Sequence, residues 1–375
     1  MFKSTFNLKL IRFFIFYLLF STFYFVGCNN LFNSEKEDEC ISEEDDGFKH
    51  IIFTPLFGDG NIYSIHPDGS DLKQLTSTES STLNFQSSWS SDGSKIVFTR
   101  ITDFSIEYNP ESKFFIYVMD ADGCNEKMLH EGGSDAKFSP NGSKIAFRVS
   151  GGELYIMNSD GSEVKRVISK KIGGDPYSWS WSSNSKQLAY LTEVEIDQYR
   201  TWTTLFKINI DSTKNQKLTK RYVYHVAWSP TEQKIAFTAN ASRGYPQIFI
   251  INSDGTEEKQ LTDYPSGIFE FAWSLDGSKI AFVICYPDTI EHLCPQGLGV
   301  MDKDGSNQKL LISSNDSNNG IPDNPVWSSD GIQIAYRFHD NNEGKSQIYI
   351  IDSFGDNKKK ITNIEEGVMS PAWQP

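Results

Sequence analysis

"SWSSDGSKIVF", Ser88 to Phe98, decides the fold because it returns as "KFSPNGSKIAF" (Lys137 to Phe147) and "AWSLDGSKIAF" (Ala272 to Phe282). Aligned on its tryptophan, the repeat recurs at Trp89, Phe138, Trp181, Trp228, Trp273, Trp327 and Trp373, at intervals of 49, 43, 47, 45, 54 and 46 residues. In the first six copies an aromatic closes an apolar triplet nine residues later: Phe98, Phe147, Tyr190, Phe237, Phe282 and Tyr336. Farther on, the second position of an "IY"-like pair precedes a turn glycine by six residues, as in Tyr63 and Gly69, Tyr117 and Gly123, or Tyr349 and Gly355. The fourth copy keeps the register with Phe206 and Ser212, and the sixth has Gly299 in the aromatic place. An apolar residue, often followed by Thr, ends each unit, as at Leu75, Leu218, Leu261 and Ile361.

Each unit is thus four short β-branched and aromatic runs bounded by turn residues, the signature of four strands. A four-stranded sheet with two apolar faces buries both only by stacking against neighbours, and units of this length stack radially. The first unit, with "HIIFT", "NIYSI" and "LKQLT", lacks a Trp strand, and the chain finishes on "MSPAWQP", a Trp strand with nothing after it. The expectation is an all-β, seven-bladed β-propeller of four-stranded antiparallel blades, closed by pairing of the N- and C-terminal strands. Six or eight blades are the alternatives. Blade 1 is read as residues 48–76 plus 368–375, and blades 2 to 7 as 85–130, 134–168, 177–219, 225–262, 269–312 and 324–362.

The repeat "WSPDGxxIAF … IYxMDxDG … LT" resembles that of TolB-type propellers, found also in the propeller domains of prolyl oligopeptidase-like and dipeptidyl-peptidase-like enzymes. The resemblance covers residues 48–375 and implies a domain of the bacterial envelope that binds other proteins. It implies fold more strongly than function, because one propeller scaffold hosts many activities. Two departures from the TolB pattern are expected, the lack of the small α/β domain before the propeller and a lipid anchor on the chain itself; the lack of a hydrolase domain after the propeller argues separately against a peptidase. No G-x-S-x-G elbow and no H-E-x-x-H motif occurs in the 375 residues, and "EGKS" (Glu343 to Ser346) lacks the first glycine of a phosphate loop. The Asp-rich "MDADG" and "MDKDG" segments lack the distal Glu of a calcium loop, so they are read as tight turns. No catalytic residue, metal or cofactor is expected from these motifs.

Lys3, Lys9 and Arg12 precede an uncharged, mostly apolar run, Phe13 to Gly27, too short to span a bilayer. It ends in "FVGC", which resembles a lipoprotein box with Cys28 as the lipidated residue. Residues 1–27 are read as the signal peptide and 28–47 as a flexible tether, whose stretch Ser34 to Asp46 carries eight acids and one Lys. The expectation is an exported monomer, anchored by lipid in the outer membrane, facing periplasm or cell surface. The net charge of -14, with no basic stripe, argues against nucleic acid. The envisaged partner is an envelope protein or a cell-wall polymer. The rival reading is a carbohydrate-active propeller, a polysaccharide lyase or glycan binder with its site at the channel mouth.

Cys285 and Cys294 bracket an insert and are read as a disulfide; Cys40 and Cys124 are a second candidate pair. Lettering strands A to D from the Trp strand outward, all variation in loop length falls on the face of the B–C and D–A connections, where binding concentrates. Seven aromatics in those inserts are candidates for a contact surface: Phe104, Tyr108, Tyr199, Trp202, Tyr245, Tyr286 and Phe338. Three residues before each Trp-equivalent every position is polar: Gln86, Asp135, Ser178, His225, Glu270, Asn324 and Ser370. These are read as a hydrated ring at the mouth of the central channel.

Overall fold

A computed structural model describes residues 49–56, 59–78, 81–104, 112–149, 152–169, 178–197, 200–285, 296–313, 320–369 and 371–375. The turn inside the opening stretch is tied by its own side chains. Ser90 Oγ donates to Asp92 Oδ1 (2.6 Å) and accepts the Lys95 N–H (2.9 Å), while Asp92 Oδ1 also takes the Ser94 N–H (3.0 Å). These donors hold the Asp92 carboxyl down to about 2. The same Ser-to-Asp/Asn bond recurs at Ser139–Asn141, Ser182–Asn184, Ser274–Asp276 and Ser328–Asp330. In the "MDADG" turn Asp122 Oδ1 accepts the Cys124 N–H (2.9 Å) and Gly123 has φ +92°. Ser212, in the glycine's place in the fourth copy, takes the same left-handed backbone (φ 68°). The aspartates read as turn formers are engaged in turns.

Among the described residues the strands form seven four-stranded antiparallel sheets. In blade 2 they are Leu83–Trp89, Lys95–Thr102, Lys113–Asp120 and Lys127–Glu131. The aromatic of strand B faces that of strand C directly: Phe53 pairs with Tyr63, Phe98 with Tyr117, Phe147 with Tyr155, Tyr190 with Phe206, Phe237 with Phe249 and Tyr336 with Tyr349. Their ring centroids lie 5.6 to 6.0 Å apart, the offset contact aromatic pairs prefer. Phe282 faces Gly299 instead, and a Cβ there would sit 2.6 Å from the Phe282 ring. The glycine makes room for the ring, which packs against Tyr264 at 5.8 Å. The recurrent Thr ends strand D by replacing a ladder partner: Thr76, Thr262 and Thr362 Oγ1 each accept a strand C N–H at 2.9 Å, from Ile62, Ile248 and Ile348.

Blades are joined through the repeat's tryptophan. The indole Nε1–H of Trp89, Trp181, Trp273 and Trp327 donates to the inner-strand carbonyl of the preceding blade, at Ala372, Lys137, Ala227 and Ala272, over 3.1 to 3.3 Å. At the outer rim, side chains of strand D reach the next blade's turn: Lys127 to the Asp160 carbonyl, Gln216 to Asp254, Lys259 to Asp304, Lys309 to Phe354 and Lys359 to Asp68.

The ring closes as expected. Ala372–Trp373 is the innermost strand of the first sheet, with Trp373 opposite Ile51 and Ala372 opposite Ile52. Trp373 is buried with Ile348 and Ile350 of blade 7, and the Ala372 carbonyl receives Trp89 of blade 2. Deleting Met369 to Pro375 therefore uncovers three blades at once. Loss of one buried Trp alone costs about 3 to 5 kcal/mol, against a typical total of about 5 to 15 kcal/mol. The truncated chain is expected to lose its cooperative thermal transition by near-UV circular dichroism; an unshifted melting curve would refute closure by these residues.

Candidate functional site: the channel mouth and its aromatic rim

Strand direction alternates within each blade, so the A–B and C–D turns share one face and the B–C and D–A connections the other. On the second face five inner strands break register where the polar ring was placed: between Phe85 and Ser88, Ser134 and Lys137, Val223 and His225, Ile268 and Glu270, and Asp323 and Val326. Such bulges re-aim side chains. Gln86, Asp135 and Asn324 hold left-handed backbone there (φ 53°, 51° and 48°), a conformation uncommon outside glycine.

The ring residues bind blade to blade. Gln86 Oε1 accepts the Asp135 N–H (2.8 Å), Asp135 Oδ2 accepts Trp179 Nε1–H (2.9 Å), Ser178 Oγ accepts the Val226 N–H (3.2 Å), and Glu270 Oε2 accepts the Asn324 N–H (2.9 Å). Gln86, Asp135, Ser178 and Glu270 of the expected ring are therefore engaged in hydrogen bonds between blades. Ser370 lies outside the described residues.

Charge at the mouth is unevenly balanced. Asp323 is held by Arg337 through two bonds, Nε to Oδ1 at 2.7 Å and Nη2 to Oδ2. Asp135 has Lys137 Nζ at 3.4 Å. Glu270 has the Asn324 N–H and, among the described residues, no ion pair; burial, then the neighbouring Asp323, push its carboxyl up to about 7, against a lowering pull from Arg337. His225 packs edge-on against Phe271 at 4.8 Å, with Nδ1 buried and without a hydrogen-bond partner among the described residues. Burial, with Lys137 adding to it, pushes the imidazole down to about 4.

The aromatic inserts divide. Phe104, Trp202 and Tyr245 are 37%, 36% and 38% exposed. Phe338 is 4% exposed, a correction to its place in the contact surface: its strand runs on to Asp340, so the ring falls within the sheet, between Tyr336 and Tyr349 and under Lys358 Nζ. Tyr108, Tyr199 and Tyr286 lie outside the described residues. Trp202 heads a chain of rings that includes three residues the sequence reading missed. Its centroid is 5.5 Å from Tyr222, which is 4.8 Å from Tyr224, which is 5.6 Å from Phe269. Phe269 is 42% exposed; a Cβ on Gly267 would meet its ring at 2.8 Å, so glycine lets the ring lie on the strand, next to Pro246. Tyr224 and Phe269 each immediately precede a ring residue and are the residues skipped by the bulge. The signal in the sequence was aromatic residues at that position; the bulge that turns them outward was not visible.

Cys124 and Cys285 are each disulfide-bonded, and Cys40 and Cys294, the partners read for them, lie outside the described residues, as does Cys28. Among the described residues no three His, Cys, Asp or Glu side chains converge on one point that could hold a metal ion, and no helix is long and apolar enough to cross a membrane. Two crevices of about 130 and 300 Å³ flank blades 5 and 6 around Lys234 and Lys259, and no mouth residue lines either.

The two perturbed groups pull stability in opposite directions with pH. A carboxyl raised to about 7 makes the folded state hold a proton that the unfolded chain has released, so its contribution is full below about 4.5 and is lost as pH rises through 7. An imidazole lowered to about 4 makes stability rise from pH 4 to about 6.5. The slopes oppose one another between about 4.5 and 6.5. In His225→Gln, denaturant unfolding is expected to show stability falling from pH 4.5 to 7, on the order of 1 to 3 kcal/mol; in Glu270→Gln it is expected to rise from pH 4 to 6.5. Matching profiles in both variants would show that neither group titrates as described.

No family model matches the chain. It is similar to TolB from Acinetobacter baumannii (TM-score 0.54, 15% identity, covering 88% of this chain and 68% of that one). It is likewise similar to oligogalacturonate lyase in complex with manganese (TM-score 0.58, 14% identity, 84% of each chain). A stretch of 115 residues, 30% of this chain, is 30% identical to dipeptidyl-peptidase 5 of Porphyromonas endodontalis, and spans only 16% of that protein. At these identities the solved structures speak to architecture: the chain is a seven-bladed propeller, and its fold is similar to that of TolB from Acinetobacter baumannii.

Proposed function

We propose that the protein is a lipid-anchored TolB-like propeller that binds another protein, or a cell-wall polymer, in the bacterial envelope. The observation that carries this reading is the run of rings Trp202, Tyr222, Tyr224 and Phe269 beside a polar mouth, with exposed aromatic faces at both ends. Amphipathic rings held by mutual packing lose little freedom when they meet a partner. The apolar run before Cys28 and the acidic stretch after it support export and tethering, in the outer membrane facing periplasm or cell surface. The fold shared with TolB proteins is consistent with an envelope setting.

The carbohydrate-active reading draws support from the likeness to oligogalacturonate lyase. A metal-dependent lyase site would need His225 to converge with Asp135 or Glu270. In the described mouth Asp135 is engaged by Trp179 and Lys137, and Glu270 by Asn324. That donor set does not favour a lyase, and sugar binding then falls under the cell-wall alternative.

Two experiments test the proposal. Cys28→Ser is expected to abolish palmitate labelling and to shift the protein from the membrane to the soluble fraction; unchanged membrane association would overturn the lipid anchor. Joint replacement of Trp202, Tyr245 and Phe269 by Ser is expected to move the melting temperature by no more than about 3 °C, since the rings are partly exposed. The same variant is expected to lose at least about tenfold in capture of envelope proteins or in sedimentation with purified sacculi. Full capture by a folded variant would remove the rings from the binding surface.

A further inference from the structure

Among the described residues, Asp135, Lys137, Glu270, Asp323 and Arg337 are charged groups at or paired with the inner-strand bulges of this face. Asp323 with Arg337 and Asp135 with Lys137 form pairs, which leaves Glu270 as the carboxylate without a cation among the described residues. The described groups that act on it are Asp323, the Asn324 N–H and Arg337 from blade 7, while His225 of blade 5 packs on the neighbouring Phe271. The imidazole, pushed well below neutrality, offers no compensating charge at pH 7. A carboxylate in so enclosed a place is costly to ionise unless a cation joins it.

Phe269 precedes Glu270 and Tyr224 precedes His225, and these two rings touch at 5.6 Å. Phe269 is exposed, so aromatic surface open to a partner adjoins the carboxylate along the chain. That neighbourhood suits a cation on a long apolar stem, whose methylenes and charge are both favoured by ring faces. It does not suit a bare divalent ion, for which the described residues assemble no set of three donors.

We infer that the channel mouth is the seat of a Lys or Arg side chain of a partner polypeptide, its stem against Tyr224 and Phe269 and its cation on Glu270. This rests on the mouth face being the binding face. Seating the cation favours the ionised carboxylate, so binding tightens as pH rises and releases a proton where Glu270 is still protonated.

The test uses the full chain in non-ionic detergent and two probes, Ac-Gly-Arg-Gly-amide and its neutral citrulline counterpart, titrated by NMR with side-chain carboxyl shifts as readout. The arginine peptide is expected to bind about tenfold more tightly at pH 8 than at pH 6, the ratio of ionised fractions for a carboxyl titrating near 7, and to lower the Glu270 midpoint. The citrulline peptide is expected to do neither. Glu270→Gln should abolish the pH dependence and weaken binding at pH 8 at least tenfold, while Glu270→Asp, which keeps the charge, should retain the pH dependence should the Gln variant fold poorly. Phe269→Ser should weaken the arginine peptide severalfold. Equal binding of both peptides overturns the seat, as does Arg-peptide binding unaffected in a folded Glu270→Gln. Calcium competing at Glu270 with no effect of Phe269→Ser would replace the side chain by an inorganic ion. If the Trp202, Tyr245 and Phe269 variant loses capture of the natural partner while Glu270→Gln keeps it, the face stands and the cation seat falls.

Discussion

The burial of each repeat's aromatic ring against the inner strand of the blade before it, joined at Trp89, Trp181, Trp273 and Trp327 by an indole N–H bond, is the contact on which the rest of the ring depends. A propeller blade touches only its two neighbours, so its stability is a sum of blade and interface contributions, and the circle holds only if no interface is missing. Each such bond contributes about 1 kcal/mol beyond burial of the ring. The repeat tolerates local exceptions. Phe138 offers no donor, and the indole nitrogens of Trp228 and Trp373 are buried without a partner among the described residues. At those places apolar burial alone remains, so size and shape are what the position demands, and the hydrogen bond is an addition.

The mouth is built from the same strands, which is why its polarity has a structural side. An inner strand has no fifth strand beyond it, and the bulges that end its regular pairing leave N–H groups that need acceptors. Gln86, Ser178 and Glu270 supply those acceptors to Asp135, Val226 and Asn324 of the following blades. The uniform polarity of the seven positions, legible in the sequence, thus has two causes: contact with the channel and bonding across blades. Sequence spacing cannot separate them, because both require a polar side chain at one position.

Periodicity carried the fold. Strand pairs such as Phe98 with Tyr117 are fixed by alternation and turn spacing, so a constant count of nine or six residues already implies register, and even Ser212 and Gly299 could be placed by count alone. The same count separates the inserts: Phe338 lies two residues after Tyr336, inside a strand B that ends at Asp340, and is buried, whereas Phe104 lies six after Phe98, beyond an equally long strand that ends at Thr102, and is open. Length of the insert alone did not distinguish the two; position relative to the strand's aromatic does. Tyr224 and Phe269 were missed because a bulge reverses which residue of a strand faces out, and Tyr222 because it lies just before the strand begins at Val223.

Charge then separates the two faces chemically. Many of the acids between Phe48 and Pro375 sit in or beside the A–B and C–D turns, where they find local donors: Asp92 three of them, Asp120 Lys95 and Asn125, Asp302 Lys279 and Asn307. Their carboxyls are lowered, the mark of acids whose charged form is already stabilised. Glu270 at the mouth is raised, the mark of an acid whose charged form is not. A surface crowded with satisfied carboxylates attracts cations weakly and without direction. One carboxylate with a single N–H donor and no ion pair among the described residues, next to exposed aromatic rings, would attract them at a single point, and it is on that asymmetry, more than on net charge, that selective recognition by this propeller would rest.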